Sequence, residues 1–81
     1  MIRQESKYNK DFIEIMYKEY KDNNLVIHKE YNDKQMIIHK EFEGKQITFY
    51  KKYYNDGTTK FLKRFNENII ITHVEYMNNG G

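Results

Sequence analysis

An aromatic residue recurs at a nearly constant interval along this chain, and that interval is the feature that most constrains the fold. Successive members of the series are 11, 11, 11, 12 and 11 residues apart: Tyr20, Tyr31, Phe42, Tyr53, Phe65 and Tyr76. Eleven residues are about the length of one short β-strand and one tight turn. The spacing therefore predicts an internal repeat of hairpins.

Turn-forming residues fall between the aromatic positions. Asn, Asp and Gly tolerate the positive φ that tight hairpin turns need, and the predicted turns are Asp22-Asn23, Asn32-Asp33, Glu43-Gly44, Asn55-Asp56-Gly57 and Asn66-Glu67-Asn68. The strands are then expected at 12–20, 25–31, 36–42, 47–54, 59–65 and 69–76. Because short turns join antiparallel neighbours, the fold class is all-β, an antiparallel meander of about six short strands. It forms a single twisted sheet or a small open barrel.

The first of these segments is ambiguous, since Phe12, Ile13, Met16 and Tyr17 also satisfy a helical spacing. We predict one β-meander domain over 11–77, an N-terminal tail over 1–10 and a C-terminal tail over 78–81. The chain has no cysteine, no apolar signal segment and no stretch that approaches a membrane span. These features predict a cytoplasmic protein without a membrane partner.

The period also predicts which residues share a face of the sheet. With two-residue turns, one face carries a row formed by Tyr17, His28, His39, Tyr50, Leu62 and His73. The other face is the expected core side and carries Leu25, Ile27, Tyr31, Met36, Ile38, Phe42, Ile47, Phe49, Tyr53, Phe61, Phe65, Ile70, Val74 and Tyr76. It also carries a lysine in most repeats, at Lys18, Lys29, Lys40, Lys51 and Lys63, whose methylenes can cover the aromatic rings while the ammonium groups contact their faces.

Neither a metal site nor a catalytic site is predicted. His28 and His39 are expected to be cross-strand neighbours, close enough to share a zinc ion, but they lack a third ligand nearby, and duplication of a structural position explains them without a ligand. Ser6 is the only serine, and the recurring carboxylates share one repeat phase, as at a strand end. Sequence therefore favours a protein that is not an enzyme, with no cofactor.

The charge distribution leaves two kinds of binding partner open. The net charge is only +2, but residues 44–65 hold six basic residues and one acid, a balance of +5. Basic residues among aromatic ones on a sheet can bind nucleic acid, here through Tyr50, Lys51, Lys52, Tyr53, Tyr54, Lys60, Lys63 and Arg64. The same residue types are enriched where proteins bind one another. A homodimer through edge strands near 12–20 and 69–76 is a third possibility. The run from Ile69 to Val74 has little charge and is expected to be covered.

At the level of single repeats the chain resembles the MORN-type repeat proteins, in particular the YwqK-like antitoxin proteins of bacteria. The similarity rests on Gly44-Lys45 through Tyr53-Tyr54-Asn55-Asp56-Gly57 to Phe65-Asn66-Glu67-Asn68, and on Tyr76-Met77-Asn78-Asn79-Gly80. It departs where the Asn32-Asp33 and Asn66-Glu67-Asn68 turns lack glycine. The resemblance implies a single-sheet meander that binds and neutralises a protein, such as a toxin or a defence or host protein, and it implies no catalytic residue.

From these observations we predict an inhibitor or antitoxin-like protein-binding module of bacterial or phage origin. A nucleic-acid-binding β-domain is the alternative. The predicted interface is the place where aromatic and basic residues converge: Tyr50, Lys52, Tyr54, Lys60 and Arg64.

Overall fold

A computed structural model describes residues 1–77 and shows one antiparallel β-sheet. Its strands follow one another in chain order: β1 (Ile2–Tyr8), β2 (Glu14–Lys21), β3 (Asn24–Asn32), β4 (Gln35–Glu43), β5 (Gln46–Tyr53), β6 (Thr59–Asn66) and β7 (Ile69–Glu75). The predicted all-β meander is confirmed. A helix in the first segment is wrong, because that segment is β2. Among residues 1–77, no helix is long and apolar enough to cross a membrane.

The sheet has seven strands because the predicted N-terminal tail contains one of them. β1 pairs with β2 from Ile2 opposite Lys21 to Tyr8 opposite Glu14, and a loop at residues 9–13 joins the two strands. The ladder with β2 provides partners for the β1 backbone, and β1 ends at Tyr8, which lies 12 residues before Tyr20. The sheet remains open, so its edges are β1 and β7, and neither the barrel nor an edge at 12–20 is correct. The predicted tail 78–81 lies outside the described residues.

Most turns have the backbone that the sequence predicts, displaced in places by one residue. Both central residues have positive φ at Asp22 and Asn23 (51° and 68°), at Asp33 and Lys34 (51° and 69°), and at Glu67 and Asn68 (53° and 66°). This pair of left-handed residues matches the right-handed twist of the strands that it joins. The longer turn after β5 has Gly57 at φ 91° and is closed by two hydrogen bonds from Thr58 to Asp56 Oδ1.

Each strand pair contains a β-bulge close to its turn, which the predicted pairing through two-residue turns does not include. The register shifts by one residue in every pair, so that one residue of the later strand has no partner. The bulged residues are Ile15, Val26, Ile37, Thr48, Lys60 and Ile71. A two-residue turn alone would place His28 opposite His39, but the bulge places His28 opposite Lys40 and Lys29 opposite His39.

The bulges therefore separate the predicted row of equivalent residues onto two faces. Cross-strand partners point to the same side of a sheet, and neighbours in one strand point to opposite sides. We name the two sides the Tyr50 face and the His39 face. The central row of the Tyr50 face is Lys18, His28, Lys40, Tyr50, Lys63 and His73; that of the His39 face is Tyr17, Lys29, His39, Lys51, Leu62 and Val74.

The sheet is a single layer, and neither face is the predicted core side. It measures 43 × 39 × 12 Å, and no side chain in residues 1–77 is fully buried. The apolar residues assigned to one face are divided, since Ile27 and Phe49 lie on the His39 face while Ile38 and Phe61 lie on the Tyr50 face. Cross-strand pairs and the hydrogen-bonded ladder, instead of a buried core, are the contacts that hold the strands together.

Candidate binding surface

Four of the five ring residues in the central rows, all except Tyr50, are bonded to glutamates of their own strands. His28 Nε2 lies 2.8 Å from Glu30 Oε2, His39 Nε2 lies 2.8 Å from Glu41 Oε2, and His73 Nε2 lies 3.0 Å from Glu75 Oε1. Tyr17 Oη donates in the same way to Glu19 Oε1 at 2.8 Å. In each case the glutamate is two residues after the ring, so both side chains stand on one face.

This geometry corrects the expected pairing of the histidines. His28 lies on the Tyr50 face and His39 on the His39 face, so their imidazoles cannot share an ion. Within residues 1–77, no three potential ligands among His, Cys, Asp and Glu are grouped so that they could hold a metal. The bonded glutamates give the imidazoles a structural role, one in each of three strands.

Two tyrosines have perturbed ionisation. The hydrogen bond to Glu19, followed by burial and the Glu19 charge, raises the pKa of Tyr17 above the usual value of a phenol. Burial and the charge of Glu14 raise the pKa of Tyr31. A phenol with a raised pKa stays protonated at neutral pH, and Tyr17 donates its proton to Glu19, so neither residue has the lowered pKa of a general base.

The Tyr50 face carries a cluster of cations around two aromatic rings, which we name the basic–aromatic patch. Its members come from three adjacent strands, β4, β5 and β6, and are Lys40, Tyr50, Lys52, Phe61 and Lys63. The register positions them, because Lys40 and Lys63 lie on either side of Tyr50, and Lys52 lies opposite Phe61. All five side chains are half-buried in the surface of the sheet.

The members of the patch contact one another directly. The rings of Tyr50 and Phe61 meet edge to face with their centroids 5.2 Å apart. Lys40 Nζ lies 4.9 Å from the centroid of the Tyr50 ring, and Lys63 Nζ lies 5.0 Å from that of Phe61. Cation–π contacts of this kind contribute about 0.5–1 kcal/mol each at exposed sites. They hold the lysine side chains over the rings and restrict them before any partner binds.

The charge of the patch is unbalanced. On the Tyr50 face, the strands β4, β5 and β6 present three lysines and no carboxylate, because Glu41 and Glu43 point to the His39 face. The nearest acids on the Tyr50 face are Glu30 on β3 and Glu75 on β7, and each is bonded to a histidine. The patch is therefore a region of positive potential between two hydrogen-bonded His–Glu pairs.

The structure brings together only some of the residues that the sequence predicts as an interface. Tyr50 and Lys52 lie in the patch. Tyr54 and Lys60 lie beside the turn after β5, where Lys60 Nζ is 5.9 Å from the Tyr54 ring and Tyr54 Oη donates to the Tyr76 carbonyl at 2.9 Å. Arg64 lies on the His39 face, with its guanidinium 5.1 Å from the Phe49 ring. The five residues therefore do not form one surface.

Three members of the patch, Lys40, Phe61 and Lys63, are absent from the predicted interface. The sequence-based pairing aligns all repeats through two-residue turns without bulges. That pairing places these residues on the face opposite Tyr50. The bulge residues Thr48 and Lys60 are what bring Lys40 and Phe61 to the Tyr50 face. The alternation of lysine and ring residues from strand to strand is the signal that would have identified them, once a bulge is placed in every hairpin.

Comparisons with protein-family models, curated proteins and solved structures find no match to this chain.

Proposed function

We propose that this protein is a non-enzymatic binding module that neutralises another protein, as an inhibitor or antitoxin of bacterial or phage origin does. The observation that carries the proposal is the basic–aromatic patch on a flat, single-layer sheet. Tyrosine, phenylalanine and cations that are already held in place lose little side-chain entropy when a partner covers them. A sheet without buried side chains also has both faces available for contact.

The partner surface that fits the patch is acidic. Lys40, Lys52 and Lys63 face outwards around Tyr50 and Phe61, so carboxylates of a partner would meet the lysines while its apolar atoms cover the rings. Opposite potentials of this kind accelerate association and set orientation. Tyr54 and Lys60 extend the proposed contact surface towards the turn, whereas Arg64 remains outside it on the other face.

The sheet supplies a matched pair of variants to test this surface. Lys52 and Lys63 have direct sequence neighbours, Lys51 and Arg64, on the opposite face. The double variant Lys52→Glu/Lys63→Glu changes the net charge by the same amount as Lys51→Glu/Arg64→Glu, on the same two strands. A tagged copy of each is expressed in the native cell, and the proteins that co-purify are quantified.

We expect a partner to be retained by the wild type and the Lys51→Glu/Arg64→Glu variant, and to be lost, by at least about tenfold, from Lys52→Glu/Lys63→Glu. Charge pairs between proteins couple by about 1.5 kcal/mol or more, which corresponds to a tenfold change for each pair. Circular dichroism checks that both variants are folded. Equal loss in the two variants would exclude a face-specific contact.

A second candidate, single-stranded nucleic acid, is favoured by the absence of carboxylates on the Tyr50 face of β4–β6. Bases can stack on rings while lysines contact phosphates. The probes are DNA and RNA oligonucleotides of about 20 nucleotides, titrated at several salt concentrations. Binding through phosphates weakens steeply with salt, and it should be lost in Lys52→Glu/Lys63→Glu. No binding at low salt removes this candidate.

A further inference from the structure

The outer edge of β7 has backbone groups that no other strand pairs within residues 1–77. Tyr76 N–H donates to the Lys60 carbonyl at 2.9 Å, which makes these two a hydrogen-bonded pair of the ladder with β6. Such pairs alternate along an antiparallel ladder. Thr72, Val74 and Tyr76 therefore direct their N–H and C=O groups towards β6, whereas His73 and Glu75 direct theirs outwards.

The side chains of β7 do not protect this edge. Edge strands usually carry lysines or other charges that prevent pairing with another chain, but β7 has no Lys or Arg and its only acid is Glu75. The exposed fractions of Ile69, Ile71 and Val74 are 66%, 62% and 38%. Because Ile71 is bulged, the regular part of the edge runs from Thr72 to Tyr76.

We propose that β7 pairs antiparallel with β7 of a second copy of this chain, about a two-fold axis at Val74. In this register Val74 meets the partner's Val74 on the His39 face. His73 lies opposite the partner's Glu75 on the Tyr50 face, and the reciprocal pair forms on the other side of the axis. The outward N–H and C=O groups of His73 then bond to those of the partner's Glu75. Those of Glu75 bond to the partner's His73, and the ladder continues across the axis.

The sequence of β7 is self-complementary about Val74, which is the reason to assign a second copy to this edge. Its two ionisable side chains, His73 and Glu75, flank Val74 symmetrically, so the two-fold axis always brings unlike groups together. An axis at His73 would instead place two imidazoles opposite each other and would set Glu75 against the bulged Ile71. The Val74 axis uses only the regular residues of the strand.

This dimer would give the proposed function two sites. Because paired residues point to the same side, a two-fold axis through an antiparallel pair keeps the Tyr50 faces of both copies on one side. β5 of one copy and β5 of the other are separated by five strand spacings, about 24 Å at about 4.8 Å each. This consequence rests on the proposed function, whereas the dimer does not.

The oligomeric state is measured by sedimentation velocity of the full chain between about 10 µM and 1 mM, a range suited to the small interface that five residues of one strand can form. The wild type should shift from monomer to dimer with concentration. Val74→Lys places two ammonium groups opposite each other, so its dissociation constant should rise at least about tenfold. The control Ser6→Lys introduces the same charge in β1, at a residue whose backbone N–H points away from β2. This variant should dimerise as the wild type does.

The register is tested by exchanging two side chains. His73→Glu sets a carboxylate against the partner's Glu75 and should weaken the dimer. The exchange His73→Glu/Glu75→His restores unlike pairs only when residue 73 lies opposite residue 75, so it should recover dimerisation. An axis at His73 would set two glutamates opposite each other in the exchanged variant and would leave it monomeric.

Several outcomes overturn the proposal: a wild type that stays monomeric at 1 mM, a Val74→Lys variant that dimerises normally, a Ser6→Lys variant that does not, or an exchanged variant that remains a monomer. A monomeric wild type would assign the β7 edge to a strand of a different protein. Because Val74 and the basic–aromatic patch lie on different faces and strands, loss of the dimer and loss of partner capture by Lys52→Glu/Lys63→Glu are separate results.

Discussion

The two edges of the sheet, β1 and β7, have the same length and the same ladder on their inner side, but their side chains differ. β1 carries Arg3, Glu5 and Lys7, and the Arg3 guanidinium lies 4.4 Å from the Tyr20 ring. β7 begins with three isoleucines and carries a single carboxylate. An outer strand with alternating charges resists pairing with another chain, whereas one with exposed β-branched residues favours it.

The difference teaches that the two edges of one single-layer sheet can differ in how well they are suited to pairing with another chain. β1 is further fixed at its start, where the Met1 ammonium lies 2.9 Å from Asp22 Oδ1 and the Asp22 N–H donates to the Met1 carbonyl at 3.0 Å. The free end of β7 is fixed as well, since Tyr76 N–H donates to the Lys60 carbonyl and Tyr54 Oη donates to the Tyr76 carbonyl, so the two edges differ in their side chains, which are charged on β1 and mostly apolar on β7. We therefore interpret β1 as the closed boundary of the protein and β7 as the one through which it assembles.

Proline substitutions should give the largest effect and test which backbone groups point inwards on each edge. The N–H groups of Glu5 and Val74 face the sheet, so Glu5→Pro and Val74→Pro each remove a ladder hydrogen bond. The free energy of unfolding should fall by about 1–3 kcal/mol in both, measured by urea denaturation.

The matched control substitutions are at the neighbouring residues, Ser6→Pro and His73→Pro, whose N–H groups point to solvent. Both should retain most of the stability of the wild type. Only His73→Pro should also abolish dimerisation, because its N–H group bonds to the second copy in the proposed register. Equal destabilisation at inward and outward positions would contradict the assignment of the ladder.

The sequence was sufficient for the strands and turns but not for the faces. Period and turn residues located the six later strands to within a few residues, because Asp22-Asn23 and Gly57 occupy backbone conformations that few other residues accept. The face of the sheet on which each side chain lies could not be predicted in the same way. One bulged residue in each hairpin, such as Ile37, reverses the side on which every later position stands. Five of the six bulged residues are β-branched, but so are regularly paired residues such as Ile38 and Val74, so residue type does not distinguish a bulge.

The same limitation explains the interface residues. Tyr50 and Lys52 were found because they are two residues apart in one strand and share a face in any register. Arg64 was assigned to the same surface because proximity in sequence does not distinguish it from Lys63, whereas the register places Arg64 opposite Phe49 and Lys63 opposite Tyr50. The missing information was the pairing between strands, which depends on the bulges.

Lysine substitutions at equally exposed isoleucines should give a smaller effect and show which edge aggregates. Ile71 on β7 and Ile2 on β1 are both 62% exposed, so Ile71→Lys and Ile2→Lys are matched. Each should change the free energy of unfolding by less than about 0.5 kcal/mol, as surface substitutions usually do. Ile71→Lys should lower aggregation in mild denaturant, because it interrupts an uncharged β-branched segment.

Light scattering at matched protein concentration measures that aggregation over time. Ile2→Lys should aggregate as the wild type does, because β1 already carries the charged residues Arg3, Glu5 and Lys7. If Ile2→Lys suppressed aggregation as much as Ile71→Lys, the two edges would be equally prone to pairing and their proposed difference would be wrong.

Removing the ion pair at the start of β1 should give the smallest effect. Asp22→Asn keeps a residue that tolerates the left-handed turn conformation at φ 51° but removes the charge that faces the Met1 ammonium. Both groups are largely exposed, so the attraction is weak and is screened by salt. The urea midpoint should fall slightly at low ionic strength and coincide with the wild type near 1 M salt. A loss that persists at high salt would mean that the Asp22 side chain holds β1 by a contact other than charge, and the closed character of this edge would then depend on the turn and not on the N-terminus.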